Sequence, residues 1–367
     1  MRRTLTRVRR RLERELADRP LALPSGDRVS GLVDSVATEG GLGADEYTLV
    51  KPAERVLRRP PRTLHDEVHP RFAALREHTH PEVFRAVLRG GRVIAPDPLI
   101  VTRDLRVLVR SHYHPSEIDK SRVVTHRLPR ATAMRGAAIA LVTPWSHNHY
   151  HWMLDHLGRV PLLDDEPELP IVIPARPSRV QLDSLELAGI DPARLSPLRH
   201  PHLQVEELHW PSLLGETGHP PSWAMHALRE RLVPAASASR QARIYVLRRS
   251  TDERRIVNDR QLRAFLSERG FDAVDPAGMS FAEQRAAFAE AGVIVGPHGA
   301  GMSNMVMSHD ATVVELFSPA YVNGSCYTVA DALGHTYWYL IGEPAGGRDA
   351  RVNLALLEAT LDEALST

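Results

Sequence analysis

The stretch that decides the fold of this chain is Val293-Ile294-Val295-Gly296-Pro297-His298-Gly299-Ala300-Gly301-Met302-Ser303-Asn304. Its three β-branched residues predict a strand, and the glycines after them predict a tight turn into a helix. Glycine lets the backbone approach a ligand closely, and the first N–H groups of a helix carry a partial positive charge. The stretch therefore predicts an anion site, with a diphosphate as its natural ligand and His298 at its mouth. An ordinary turn between strand and helix is the alternative interpretation.

The residues around this turn alternate between strand and helix patterns. Capping-box patterns at Asn258–Gln261 and Ser280–Glu283 begin two helices, which are predicted to end near Glu268 and Ala291. Strands that alternate with helices at this spacing predict an α/β fold with a parallel sheet covered on both faces. Ligands bind such sheets outside the carboxyl ends of the strands, where the glycine turn lies. The predicted strands are Ile244–Leu247, Phe271–Val274, Val293–Val295, Thr312–Phe317 and Thr336–Ile341.

The usual nucleotide fingerprints are absent from this half of the chain. The first strand is followed by residues 248–255, which contain neither G-x-G-x-x-G nor a P-loop, and this argues against a dehydrogenase or an NTPase. Of the arginines there, Arg248, Arg249 and Arg255 offer guanidinium groups that can pair bidentately with phosphate. Surface ion pairs with the neighbouring acidic residues are the alternative interpretation.

A second cluster of functional side chains lies in residues 145–159, which contain four histidines and Asp155. His151 and Asp155 are four residues apart and share one face of a predicted helix, so together they could supply a general base for a hydroxyl nucleophile. A metal site that uses His147, His149, His151 or Asp155 is an alternative, but the spacing matches no zinc signature. Helix capping and the packing of Trp152 form a third interpretation.

Composition limits the classes of protein that the chain can be. Its 367 residues favour two domains, and 43% apolar and 25% charged residues are typical of a soluble globular protein. The net charge of +1 argues against a nucleic-acid partner, and the lone Cys326 fits a cytoplasmic protein. Residues 1–20 predict a basic helix without the apolar segment of a secretory signal. Weak contact of this helix with the inner membrane face is a minority hypothesis.

The middle of the chain predicts an α/β domain of its own. Strand patterns occur at Arg92–Ala95, Leu99–Val101, Arg106–Val109, Ala137–Val142 and Ile171–Ile173. Helix patterns occur at Pro81–Arg89, His151–Leu163, Arg179–Ala188 and Trp223–Leu232, with a loop at 210–221. The small residues 234–239 predict a boundary. The predicted domains are 21–235 and 236–345, followed by a C-terminal helix over 346–367.

Several of these motifs together resemble glycosyltransferase family 61. The resemblance rests on Asn148-x-x-His151-Trp152-x-x-Asp155-x-Leu157-x-Arg159, on residues 255–258 and 280–284, and on the glycine turn with Val314-Glu315-Leu316. It covers about residues 145–341, and Met302-Ser303 departs from the Leu-Thr of many members. The resemblance implies a GT-B architecture, in which two Rossmann-like domains face each other across a cleft and the C-terminal one binds a nucleotide-sugar.

The resemblance also implies inverting, metal-independent transfer of a sugar, in bacteria for surface or capsular polysaccharide. It implies no cofactor, a donor such as a UDP-sugar, and a glycan, lipid-linked glycan or other hydroxyl acceptor. A sugar-nucleotide epimerase of GT-B type, an inactive nucleotide-sugar-binding protein and a metal-dependent hydrolase remain alternatives.

The turn, the arginines and the resemblance together assign the site residues. The catalytic base is Asp155 or His151, with Asp155 slightly favoured because a carboxylate is unprotonated at neutral pH. Asn148 and Trp152 are assigned to the acceptor side, and no metal ligand is assigned. Glu315 is expected to accept hydrogen bonds from ribose hydroxyls. The donor-binding residues are Arg248, Arg249, Arg255, Asn258, His298, Gly299, Ala300, Gly301, Asn304 and Glu315.

Overall fold

The computed structural model describes residues 31–33, 45–95, 98–113, 127–234, 240–248 and 253–366. The predicted basic helix of residues 1–20 and the predicted donor-binding Arg249 lie outside these ranges. Two large sheets form the framework, and the first belongs to the N-terminal half of the chain while the second belongs to the C-terminal half. The fold is therefore mixed α/β, as the sequence predicts.

The first sheet has ten strands of mixed direction. Its principal order is β1-β8-β7-β6-β12-β9-β10-β11, and β5 pairs with both β12 and β2. Strands β9, β10, β11 and β12 run parallel to their neighbours in this set. The bounds are β1 Gly31–Val33, β2 Glu46–Lys51, β5 Val83–Arg89, β6 Arg92–Ile94, β7 Leu99–Val101, β8 Arg106–Leu108, β9 Thr132–Ala140, β10 Ile171–Ile173, β11 Leu195–Pro197 and β12 His202–Pro211.

Two sequence predictions for this sheet are wrong. The helix predicted over Pro81–Arg89 is strand β5, whose residues pair antiparallel with β2 and β12. Sheet packing of Val83 and Phe84 overrides the weak helical pattern. The loop predicted from residue 210 begins later, because Trp210 and Pro211 end the ten-residue strand β12.

The second sheet has five parallel strands in the order β14-β13-β15-β16-β17. Its first strand in the chain, β13, therefore lies between the second and the third, and the strand order reverses between β13 and β15. Crevices at such switch points bind ligands in open α/β sheets. All five strands were predicted from the sequence. Their bounds are β13 Ala242–Val246, β14 Phe271–Val274, β15 Ala291–Pro297, β16 Thr312–Phe317 and β17 Thr336–Ile341.

Helices cover these sheets, and most were predicted. The capping box at Ser280 and Glu283 is confirmed, whereas that at Asn258 is wrong, because the Asn258 side chain bonds both backbone polar groups of Val352. The bounds are α1 Pro70–Ala73, α2 His149–His151, α3 Arg179–Leu187, α4 Ser222–Leu232, α5 Asp259–Ser267, α6 Phe281–Ala289, α7 Ser325–Leu333 and α8 Leu354–Ser366. Short 3₁₀ turns cover Val109–Ser111, Pro192–Arg194 and Pro276–Gly278, and a longer one covers Ala300–Met307.

Helix α2 continues past its α-helical turn with other hydrogen-bonding patterns. A π turn over Trp152–His156 is followed by a 3₁₀ segment over Leu157–Leu163. Pro161 lies in that segment and has no backbone N–H to donate. The helix predicted over His151–Leu163 thus exists as one continuous helical segment, whose hydrogen-bonding pattern changes from α to π to 3₁₀.

A segment of the N-terminal half crosses to the second sheet. The backbone of Arg62 bonds Tyr337 and Tyr339 of β17, and Phe72 of α1 packs against Phe317, Tyr327 and Tyr339. The largest core contains residues of both sheets. Two small ribbons, β3 Glu54–Leu57 with β4 Glu77–His80 and β18 Glu343–Pro344 with β19 Ala350–Arg351, complete the fold. Within the described ranges, no helix has the length and apolar character needed to cross a bilayer.

Candidate active site

A cleft of about 1520 Å³ lies where segments that follow the carboxyl ends of strands from both sheets meet. From the first sheet, the lining includes residues 147–152 after β9, Arg176 to Gln181 after β10, and 216–219 after β12. From the second sheet, it includes Leu247 and Arg248 after β13, 297–302 after β15, and 319–325 after β16. Both sheets thus direct the ends where α/β proteins bind ligands toward one space.

The charged side chains of the described lining are mostly cationic. Four are the arginines Arg71, Arg176, Arg248 and Arg254, whereas Glu216 is the one acidic side chain among them. Concave surfaces lined by one sign of charge concentrate counter-ions. The cleft therefore favours an anionic ligand.

The glycine turn and Arg248 meet at the switch point of the second sheet. Arg248 donates from Nη1 to the backbone oxygen of His298 over 3.0 Å. A Cβ atom placed on Gly299 would lie 2.3 Å from that same Nη1, so any side chain at this position would displace the guanidinium from where it lies. The glycine-rich sequence thus allows a cation, as well as a ligand, to approach the backbone closely.

Arg254 brings a second guanidinium to this wall. It lies 4.7 Å above the ring of Tyr321, and its Nε, like that of Arg248, is buried without a hydrogen-bond partner among the described residues. Burial, and then the charge of Arg254, lower the pKa of Arg248. Two adjacent cations repel each other, and an anion such as a diphosphate would offset that repulsion.

Arg255, unlike Arg254, is paired with a carboxylate and does not line the main cleft. Its Nε and Nη2 both donate to Oδ2 of Asp349, over 2.8 and 2.6 Å, and these bonds hold the pKa of that carboxyl below its usual value. Arg255 lines a smaller pocket of about 360 Å³ that adjoins the glycine turn and shares Arg248 and Arg254 with the cleft. The structure therefore brings Arg254, and not Arg255, to the main cleft.

His298 is held by a buried carboxylate beneath the turn. Its Nδ1 lies 2.7 Å from Oε1 of Glu315, while the hydroxyl of Tyr337 donates to Oε2 over 2.5 Å. The ring of His298 also stacks on Phe317. Glu315 is fully buried and does not line the cleft. The Glu315 side chain orients His298 toward the cleft. Because no atom of Glu315 is exposed, this residue cannot make the contact with a ribose that the sequence predicted.

His151 lies on the opposite wall with Asp155 behind it. Nδ1 of His151 is 2.8 Å from Oδ2 of Asp155, and the helical spacing places both on one face, as predicted. The rings of Tyr113 and Trp145 flank the imidazole. His151 lines the cleft, whereas Asp155 is 9% exposed and does not. The histidine is thus the member of the pair that can reach a ligand.

Polar side chains hold the helix that carries this pair; Asn148 is exposed, whereas Trp152 and Arg159 are buried. Asn148 caps it by accepting the N–H of Tyr150 over 2.9 Å. Trp152 is fully buried and donates to Ser184, so it forms the floor beneath this wall of the cleft. Arg159, whose pKa burial lowers to about 10, donates to the backbone oxygens of Val142 and Pro211.

A chain of hydrogen bonds joins the two walls. Nε2 of His149 bonds Oδ1 of Asn304 over 2.8 Å, and the Asn304 amide donates to Gln284 over 2.8 Å. Burial lowers the pKa of His149, which keeps the ring neutral and lets Nε2–H donate. Asn304 is fully buried, so it links the two walls by hydrogen bonds and does not face the cleft.

The predicted site residues therefore fall into two groups. Those absent from the main lining are Asp155, Arg255, Asn258, Asn304 and Glu315, and Arg249 lies outside the described residues. Sequence reasoning missed Arg254, Thr217 and Tyr321; Arg254 belongs to the arginine run already noted, but the other two lie in loops without a motif. The predicted residues that line the cleft are Asn148, His151, Trp152, Arg248, His298, Gly299, Ala300 and Gly301.

Two groups of described side chains have ligand atoms close enough together to hold a metal ion. In the group of His78, Glu216 and His219, Arg58 lies 3.4 Å from Nδ1 of His219, and a neighbouring cation disfavours another. In the group of His298, Glu315 and Cys326, burial raises the pKa of the thiol well above its usual value. A metal ligand must be a thiolate, so this environment opposes metal binding.

The chain matches the model of a known protein family. The family model described as glycosyltransferase 61 matches residues 149–314, which extend from the helix of His151 to the strand beside the glycine turn. No curated protein matches the chain.

Proposed function

Because the chain belongs to glycosyltransferase family 61 through residues 149–314, we propose that this glycosyltransferase transfers a sugar from a nucleoside-diphosphate sugar to a hydroxyl acceptor in the cleft. The observation that carries the proposal is the pair of cations Arg248 and Arg254 beside the glycine turn, on the wall opposite His151. We propose a GT-B-like arrangement, with the donor on the wall of the second sheet and the acceptor on the other.

In this proposal the leaving diphosphate is stabilised without a metal ion. Arg248, Arg254 and the N–H groups at the start of Ala300–Met307 would neutralise the charge that develops as the glycosidic bond breaks. His298, oriented by Glu315, would contact a phosphate or the sugar. Arg254 replaces Arg255 in the donor set, since Arg255 is bonded to Asp349.

The acceptor is activated from the other wall in a single displacement. Nε2 of His151 takes the proton of the acceptor hydroxyl while its oxygen attacks the anomeric carbon, and the configuration at that carbon inverts. Asp155 accepts the hydrogen bond from Nδ1 and stabilises the imidazolium that forms. The burial of Asp155 thus reverses the ranking that the sequence gave the two candidates.

The test has two stages. Thermal unfolding in a panel of nucleoside-diphosphate sugars should identify the donor, because a ligand at 100 times its Kd adds about 2.7 kcal/mol of stability. The selected donor is then incubated with hydroxyl acceptors, and acceptor-dependent release of nucleoside diphosphate is measured with and without EDTA. Equal rates in both conditions are expected. Activity that EDTA abolishes and Mn²⁺ restores would refute the metal-free mechanism, and turnover of the donor without acceptor would indicate an epimerase or hydrolase.

A further inference from the structure

The loop between β12 and α4 brings a threonine to the His151–Asp155 pair. Gly215 and Gly218 both have positive φ, at 141° and 86°, and Thr217 lies between them on the cleft wall. The loop is held from outside, because the Gly218 oxygen accepts the hydroxyl of Thr328 in α7 and His219 stacks on His78 with 4.1 Å between ring centroids. The position of Thr217 is thus fixed by contacts beyond the pair.

The distances determine where the protons lie. Oγ1 of Thr217 is 2.7 Å from Oδ2 of Asp155 and 3.1 Å from Nδ1 of His151, and Nδ1 is 2.8 Å from Oδ2. A carboxylate only accepts, and a hydroxyl has one hydrogen to give. Threonine therefore donates to Asp155, and Nδ1 of His151 carries a hydrogen shared between Oδ2 and Oγ1. The proton-accepting lone pair is left on Nε2, as general base catalysis requires.

We infer that Thr217 is a positioning residue of the transfer reaction, an inference that rests on the proposed role of His151 as the base. Its hydroxyl holds Oδ2 of Asp155 and fixes the orientation of the imidazole. It also takes up part of the carboxylate charge, which would otherwise stabilise the imidazolium more strongly. Without this hydroxyl the full carboxylate charge would act on the imidazolium, so the pH dependence of turnover should change.

The other groups near the pair keep their charge over the range in which His151 works. Burial raises the pKa of Tyr113 and of Tyr150 well above 10, and the pKa of Arg159 is about 10. Glu216, the next residue on the loop, is exposed. A change in the pH profile between pH 5 and pH 9 therefore reports on the pair and on its threonine.

The experiment compares Thr217→Val, which removes the hydroxyl at nearly constant shape, with Thr217→Ser, which retains it. Turnover is measured from pH 5 to pH 9 at saturating donor, and donor Kd and thermal unfolding are measured for each variant. Thr217→Val should lose about tenfold in turnover at pH 7, and the acidic limb of its profile should move up by about one pH unit. Thr217→Ser should restore both, and the Kd for donor should not change in either variant.

Three outcomes would overturn the inference: an unchanged profile in Thr217→Val, a Thr217→Ser variant as impaired as Thr217→Val, or an equal loss at every pH. Thr217→Ala supplies a second variant without the hydroxyl if Thr217→Val unfolds early. His151→Ala is measured in parallel. If it retains transfer, the base assignment itself fails; if it loses transfer while Thr217→Val behaves as wild type, only the role of Thr217 fails.

Discussion

The two histidine–carboxylate pairs of the cleft have similar distances but different surroundings. Glu315 is fully buried, bonds Tyr337 as well as His298, and belongs to a central strand. Asp155 lies behind His151, which lines the cleft, and shares a threonine from a loop with that histidine. The first pair is built into the sheet and keeps its histidine in place, whereas we propose that the histidine of the second pair exchanges a proton with a ligand. Contact distance alone does not distinguish them; burial and the remaining hydrogen-bond partners do.

The largest expected effect is on the rate of transfer, when the His151–Asp155 pair is disrupted. His151→Ala should lower transfer by about 10²–10⁴-fold, because a general base contributes that much to the rate. Donor affinity should remain near that of the wild type, since His151 and the donor arginines lie on opposite walls. Turnover and donor Kd, measured separately, check this. The matched variant His298→Ala should instead weaken donor binding. If both variants changed turnover and donor Kd in the same way, the proposed difference between the two pairs would be wrong.

The amide substitutions Glu315→Gln and Asp155→Asn test how the two carboxylates differ in burial and in hydrogen-bond partners. In Glu315→Gln, the new amide N–H₂ faces a donor from His298 or Tyr337, and a buried unsatisfied donor destabilises by about 1–3 kcal/mol. In Asp155→Asn, the amide oxygen can accept both bonds that Oδ2 accepts, so we expect a stability loss below about 1 kcal/mol together with a large loss of transfer, since a neutral amide does not stabilise the imidazolium. Chemical denaturation and turnover measure both quantities. Equal losses of stability would contradict the contrast.

Adjacent arginines test the donor wall with a matched control. Arg254→Ala should weaken nucleoside diphosphate binding by about 1.5–3 kcal/mol, the value of a hydrogen bond to a charged group. Arg255→Ala should change the binding free energy by less than about 0.5 kcal/mol, because its guanidinium is bonded to Asp349 outside the cleft. Calorimetric titration of both folded variants decides between them. A larger effect of Arg255→Ala would restore the donor set predicted from the sequence.

A histidine that bonds two backbone groups extends the comparison to pH. His335 is buried between the oxygen of Met305 and the N–H of Ala311, so its neutral ring satisfies both, and burial lowers its pKa to about 4. An unfolded histidine titrates near 6.5, so the stability from this group is complete above that value and is lost as pH falls toward 4. The loss between pH 6.5 and pH 5.5 should be about 1 kcal/mol. Denaturation of wild type and His335→Gln at both pH values should show a smaller pH dependence in the variant.

The two sheets also differ in how well the sequence predicted them. All five strands of the second sheet were found, because parallel strands buried on both faces read as short apolar runs separated by helices. In the first sheet, β5 was taken for a helix, and the ten-residue β12 was not recognised. Half-buried strands of a mixed sheet depend on partners far away in the sequence, and β12 pairs with residues more than 60 positions away.

The candidate site shows the same division. The glycine turn, Arg248 and the His151–Asp155 spacing were visible as local patterns. The orientation of Glu315, the pairing of Arg255 with Asp349 and the contact of Thr217 with Asp155 were not, because each depends on residues 17 to 94 positions apart. Sequence patterns located the walls of the cleft, but only the tertiary contacts determine which side chains face it.

The segment that carries Phe72 has a consequence for how the chain is made. Phe72 packs against Phe317, Tyr327 and Tyr339, so its partners are synthesised about 250 residues after it. Contacts of such long sequence separation slow folding and leave apolar surface exposed in the meantime. We therefore expect the core of the N-terminal half to remain incomplete during synthesis. Until β17 has emerged from the ribosome, chaperones and proteases should be able to bind this half of the chain.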